Sequence, residues 1–211
     1  MLITVSDRKN QEEYKMPKSK VFQSPTKRSR RLNVRVLSKA EKSISRRPYP
    51  PGQHGPSRRG KLSDFALQLQ EKQRAKFIYG LRERQFRNIY SKAQKDKNST
   101  GLKLLQLLEC RLDNVIYRSG MAKTRRQARQ MVTHCHFKIN DKVVNIPSFV
   151  LHKNDVAKPV NIENFKFNDI EPINWIKIDN KKISATLIKI PLREELPFEV
   201  DEQLIVEYYS R

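Results

Sequence analysis

Residues 102–132 read LKLLQLLECRLDNVIYRSGMAKTRRQARQMV. Leu104, Leu108 and Leu112 repeat at i, i+4, with Leu105, Val115 and Ile116 alongside, so an apolar helical stretch is predicted from Leu102 to Arg118. Ser119-Gly120 ends it. A second, shorter helix then opens in Lys123-Thr124-Arg125-Arg126-Gln127-Ala128-Arg129-Gln130. Thr124 suits its N-cap, and Gln127 three residues later completes a capping box. Ala128, Met131 and Val132 fall at helical spacing and face inward, which turns Arg125, Arg126 and Arg129 outward. Cations at the positive end of a helix dipole are unfavourable for the helix alone. Their placement makes sense where a polyanion binds; the alternative is a solvated basic face. Arg111 and Asn114 lie off the leucine stripe and add polar contacts near that corner.

Downstream, short runs alternate in hydrophobicity. Strands are predicted at Phe137–Ile139, Val143–Val144, Lys158–Ile162, Trp175–Asp179 and Ser184–Ile188, paired antiparallel. All six glycines lie at or before Gly120, so the later turns need other residues for positive φ. Asn140-Asp141 and Asn154-Asp155 are the substitutes, because Asn and Asp tolerate that region best.

Upstream, residues 62–79 read as a helix with Ser63 as N-cap, Phe65, Leu69, Phe77 and Ile78 inward, Gln68 and Lys72 outward, and Gly80 at the end. Another helix spans about Arg82 to Lys95, with Phe86, Ile89, Tyr90 and Ala93 on one face and Gln85 and Arg87 away from it. Before them, residues 46–61 read RRPYPPGQHGPSRRGK, a Pro- and Gly-fixed loop. Tyr49 and His54 offer flat faces for stacking, and Arg46, Arg47, Arg58, Arg59 and Lys61 flank them. His54 has no carboxylate or nucleophile nearby in sequence, so it carries no catalytic reading.

The 211 residues hold 44 Lys+Arg against 22 Asp+Glu, a formal net charge of +22. Such a charge repels itself in a compact fold, and nucleic acid is the default counter-charge. It is unevenly placed. Lys15 to Lys61 carries fifteen basic residues and one acid, and is expected to be extended or partly disordered until RNA orders it, with a short helix allowed at Ser38–Ile44. Residues 166–211 carry seven basic and nine acidic residues and end in an apolar tail, Leu204 to Tyr209, which is expected to pack back onto a domain. No apolar run is long enough for a membrane span, and no signal or transit peptide is visible. Cys110 reads as a small buried hydrophobe. The adjacent residues of His134-Cys135-His136 cannot all converge on one metal, so no metal site and no cofactor is expected there. Two unpaired thiols fit a reducing compartment.

The run RRPYPPGQHGPSRRGKLSDFALQLQEKQRAKFIYGLRERQFRNIY, then LLECRLDNVIYRSGMAKTRRQARQMV and the ending LPFEVDEQLIVEYYSR, closely resemble the bacterial small-subunit ribosomal protein S-four family. The resemblance covers residues 45–150 and the C-terminal end, and is weak over 1–40. It implies an α+β fold. Residues 1–45 are a basic N-terminal extension, largely extended. Residues 46–98 plus 191–211 form a helical domain, and 99–190 an inserted α/β RNA-binding domain of helix–turn–helix plus antiparallel sheet. It implies a structural constituent of the small ribosomal subunit and no enzyme. The implied rRNA site joins a multi-helix junction in the 5′ domain, beside proteins S-five and S-three and near the point where mRNA enters. It further implies roles in assembly and translational accuracy. Carried over by position, the resemblance implies that Gln53 and His54 in the loop, Arg46, Arg47, Arg58, Arg59 and Lys61 around it, Gln85 and Arg87 on the helix, and Lys123, Thr124, Arg125, Arg126 and Arg129 at the corner meet rRNA. Many relatives carry four zinc-binding cysteines in the N-terminal segment; this chain has none there. The alternatives are a free RNA chaperone, which would not need the helical domain and tail, and an accessory domain of an RNA-modifying enzyme, which would need a catalytic domain the remaining residues do not supply.

Overall fold

A computed structural model describes residues 24–34, 38–57, 61–96, 99–161, 168, 173–179, 183–196 and 200–211. Arg58 and Arg59 lie outside the described residues, as does the stretch before residue 24. The chain divides between Pro56 and Ser57 into two compact units.

In the first unit, α1 (Pro25–Leu32) forms where an extended arm was expected, and α2 (Ser38–Arg46) covers the short helix allowed at Ser38–Ile44. The reason is local. Ser24 caps α1 by accepting the Lys27 N–H at 3.3 Å, Pro25 supplies the pre-set φ of a first helical turn, and Asn33 closes the helix at φ 51°. Leu32, Val34 and Ile44 then bury the little apolar surface that the segment owns.

The second unit begins with α3 (Asp64–Ile78) and α4 (Glu83–Ala93). Ser63 caps α3 as expected, and Gly80 turns the chain at φ 63°. The facing of α3 agrees with the sequence reading at Ile78, which is buried, and departs from it at Phe65, Gln68 and Lys72. Gln68 and Lys72 are buried at 5% and 4% exposure, while Phe65 is 47% exposed. The C-terminal helix α8 (Glu202–Ser210) causes this by packing along α3 and α5 (Thr100–Glu109). It brings Glu207 to the Gln68 amide at 2.9 Å and the Tyr208 ring to 4.2 Å from Lys72 Nζ. Lys72 also meets Glu83 at 2.9 Å, and Tyr209 donates to that carboxylate at 3.0 Å. Polar groups therefore face inward because each finds a partner there.

The leucine stripe is two helices, not one. α5 ends at Glu109, and α6 covers Leu112–Arg118. Between them Arg111 is extended and bridges Val150, with Leu151 N–H donating to Cys110 O at 2.8 Å. The open N–H groups of α6 are taken by the same loop: Leu112 donates to Phe149 O and Asp113 to Pro147 O. α7 (Arg125–Thr133) follows, then strands β1 (Phe137–Ile139), β2 (Lys142–Val143), β3 (Val156–Pro159), β4 (Ile176–Asp179) and β5 (Ser184–Leu187). The antiparallel sheet runs β2-β1-β3-β5-β4. β3 starts two residues before its predicted place, because Asn140 pins Val156: the Val156 N–H donates to its side chain at 3.0 Å. Asn140, Asp141 and Asn154 adopt positive φ as expected. One sheet face packs on α6 and α7 around Phe137, Ile116, Val132, Ala157 and Leu187, each fully buried.

Candidate nucleic-acid interface

Glu109 and Asp113 are the only acids between Asp96 and Asp141, and both are buried, at 1% and 2% exposure. Around Glu109, Tyr79 donates its hydroxyl at 2.7 Å, Asn114 its amide at 2.7 Å, and Arg118 its fork at 3.1 and 3.2 Å. Around Asp113, Arg111 donates at 3.1 and 2.9 Å, and Arg129 at 2.9 and 2.6 Å. Arg125 packs on the Glu109 side: its Nε donates to Asn114 at 2.8 Å, and its guanidinium lies 4.3 Å from the Tyr117 ring centroid and 5.4 Å from that of Tyr79. The cluster is an alternation of two carboxylates and four guanidiniums, closed by aromatic faces.

Its electrostatics follow from burial. Burial raises the Glu109 carboxyl most, but the charge and hydrogen bonds of Arg118, the Arg125 charge and the Tyr79 hydrogen bond together hold it below its ordinary range. Burial disfavours the Arg118 charge as well, but the charge and hydrogen bonds of Glu109, with Tyr79 and Tyr117, together raise it above its ordinary value. Burial and then the Glu109 charge push the Tyr79 hydroxyl well up. Arg125 is pushed down by burial and then by Arg118 beside it.

This geometry divides the residues read from the sequence. Arg111 and Asn114 are buried at 5% and 2% exposure and spend their donors within the protein. Arg125 and Arg129 do not project outward as expected: both are half-buried, because buried carboxylates and aromatic rings draw them back. Arg126 and Lys123 are exposed. Thr124 caps α7 by accepting the Gln127 N–H at 3.1 Å. Gln127 returns the bond to Lys123 N–H at 2.9 Å, one residue earlier than a standard capping box. Gln85 and Arg87 are exposed on α4, and Gln85 accepts the Arg82 N–H at 3.1 Å. Lys61 is exposed before α3. In the first unit Arg46, Arg47, Gln53 and His54 are exposed. Tyr49 is half-buried, with Arg30 5.2 Å from its ring centroid and donating to Tyr49 O and Pro50 O. One face of that ring is therefore taken.

Tyr79, Glu109, Asp113 and Arg118 were missed by pattern reading. The signal was present as two isolated acids four residues apart in an apolar helical stretch flanked by arginines.

Comparison with known proteins bears on the same segments. Residues 20–109 match the model of the ribosomal protein S4/S9 N-terminal domain, and residues 110–156 that of the S4 domain. Small ribosomal subunit protein uS4 of Chloroherpeton thalassium is 47% identical over 197 residues, covering 89% of this chain and 97% of that protein. The chain belongs to the uS4 family. Other members similar to it are those of Salinibacter ruber, at 44% over 209 residues with 94% and 98% covered, and Staphylococcus carnosus, at 45% over 192 residues with 87% and 94% covered. Membership makes the chain a ribosomal protein and not an enzyme. The boundary between the two matched uS4 segments falls between Glu109 and Cys110, at the break that separates α5 from α6. Among the described residues no helix is long and apolar enough to cross a membrane.

Proposed function

We propose that this chain is a structural constituent of the small ribosomal subunit that binds rRNA directly. The observation that carries the reading is the arginine corner: exposed Lys123 and Arg126 at the start of α7, on a scaffold of buried ion pairs, in a uS4-family chain of net charge +22. The mechanism is electrostatic. Phosphate contacts release counterions, while polar and aromatic groups select the RNA's shape. Gln85 and Arg87 on α4, Lys61, and the 46–54 segment supply the remaining contacts. The family resemblance supports early docking at a junction in the 5′ domain of the rRNA, a part in nucleating assembly, and a part in translational accuracy. It supports S-five and S-three as neighbours close to where mRNA enters, in cytoplasmic ribosomes.

Two measurements test this. The protein is expected to co-sediment with small subunits in a gradient. Its affinity for a 5′-domain junction RNA is expected to fall steeply with salt. Lys123→Gln and Arg126→Gln are each expected to weaken binding by about 1 kcal/mol and to lower the salt slope by roughly one. Wild-type binding by both variants across the salt range would remove the corner from the interface.

A further inference from the structure

Arg129 stands apart from the other cations of the corner. From α7 its guanidinium reaches two other elements at once, the turn after α3 and helix α6. Nη1 donates to Gly80 O at 2.6 Å and Nη2 to Tyr79 O at 3.0 Å, the two carbonyls just past the end of α3. Nε and Nη2 donate to Asp113 Oδ2 in α6 at 2.9 and 2.6 Å. Those four bonds use most of the five N–H donors of an arginine. The bidentate fork that would grip a phosphate is thereby engaged inside the protein. Asp113 is fixed from the other side by Arg111, at 3.1 and 2.9 Å, so the anchor is rigid. The carbonyls at 79 and 80 belong to the turn from which α4 starts three residues later, and α4 carries Gln85 and Arg87.

We propose that Arg129 is a positioning residue of the RNA interface. It ties the α3–α4 turn to α6 and α7, so that Gln85 and Arg87 on one side and Lys123 and Arg126 on the other meet RNA at a fixed spacing. Arg129 is not itself a phosphate contact. The inference rests on the rRNA-binding reading of the corner and refines it, because it sorts two arginines three residues apart on one helix into different jobs.

The salt dependence of binding separates the two roles. A lost phosphate contact lowers the slope of log K against log salt by about 0.7 to 0.9, whereas a lost lock lowers affinity at every salt and leaves the slope alone. Full-length Arg129→Gln and Arg129→Lys are titrated with the 5′-domain junction RNA at several salt concentrations, beside Arg126→Gln and Lys123→Gln. Melting curves report folding. Arg129→Lys keeps a cation next to Asp113 and serves if Arg129→Gln does not fold. The expected result is affinity reduced about tenfold in both Arg129 variants, with the wild-type slope in both. A lysine does not rescue, because one ammonium cannot span two carbonyls and a carboxylate in a fork's geometry. A slope lowered by about one in Arg129→Gln and restored in Arg129→Lys would overturn the proposal, making Arg129 a phosphate ligand. Wild-type affinity in both variants would overturn it too. If Arg126→Gln and Lys123→Gln leave the slope untouched, the underlying reading of the corner falls, and that failure shows in those two variants whatever Arg129 does.

Discussion

Glu109 has essentially no exposed surface, yet the protein around it carries a net charge of +22. Removing its charge strands Arg118, whose side chain is 12% exposed, beside Arg125. Breaking one side of a buried pair costs about 3–5 kcal/mol, so Glu109→Gln is expected to lose about 3 kcal/mol or more in denaturant unfolding. A loss under about 1 kcal/mol would mean that the guanidiniums re-solvate, and would sink the claim that Glu109 holds the cluster. The pH dependence has a definite sign. The folded carboxyl lies below its ordinary value, so its contribution is complete above that value and disappears as pH falls through the folded one. Acid should therefore loosen the corner. The cysteines give a second check at this scale. Burial, then the Glu109 charge, pushes the Cys110 thiol up to about 11, while Cys135 is exposed. At neutral pH a thiol reagent is expected to modify Cys135 promptly and to reach Cys110 only on unfolding. Equal rates for both thiols in the native state would contradict the burial of Cys110.

Helix α8 shows how one element rewrites the face of another. Hydrophobic spacing alone placed Phe65 inward and Lys72 outward on α3. The chain's end reverses this by supplying Tyr208, Tyr209 and Glu207, the last 139 residues beyond its partner Gln68. No local pattern reports a partner so far along the sequence. The same limit hid the α5–α6 break, since the groups that satisfy it belong to residues 147–151. Features that depend on neighbours in sequence were legible: the caps at Ser63 and Thr124, the stop at Ser119-Gly120, four of five strands to within a residue or so, and the Asn-Asp turns. For the site, exposed Lys123 and Arg126 were readable, whereas the inward pull on Arg111, Asn114, Arg125 and Arg129 required knowing that two acids are buried. Two tests belong here. Burial works against the Glu83 carboxylate, but hydrogen bonds from Lys76 and Lys72 lower its pKa from 4.5 to about 2. Its contribution is full above pH 4.5 and is lost as pH falls towards 2. Glu83→Gln should flatten that limb of the stability curve and cost about 1 kcal/mol at neutral pH, the figure being reduced because the side chain is 47% exposed. An unchanged acid limb would mean that another carboxylate carries it. In the β1–β2 turn, Asp141 sits at φ 68°, and Asp141→Gly is expected to raise stability by about 0.5 kcal/mol. The exposed pair it forms with Lys158 at 3.7 Å is too weak to offset this, and a lower melting temperature would show otherwise.

At the scale of the whole molecule, one excess of positive charge has two consequences of opposite sign. Forty-four cations against twenty-two anions repel one another in the free protein, and exposed charges are screened over about 10 Å at 0.1 M salt. Raising salt from low values is therefore expected to raise the melting temperature of the free chain. The buried pairs at Glu109 and Asp113 are screened far less, so they do not reverse the trend. Binding responds the other way, because each phosphate contact gains from releasing condensed counterions and that gain shrinks as bulk salt rises. Melting temperature and RNA affinity, followed over one salt series with the full chain, should diverge. If both fell with salt, attraction between surface charges would dominate the free protein. The excess of lysine and arginine would then be balanced within the fold and not held ready for a polyanion.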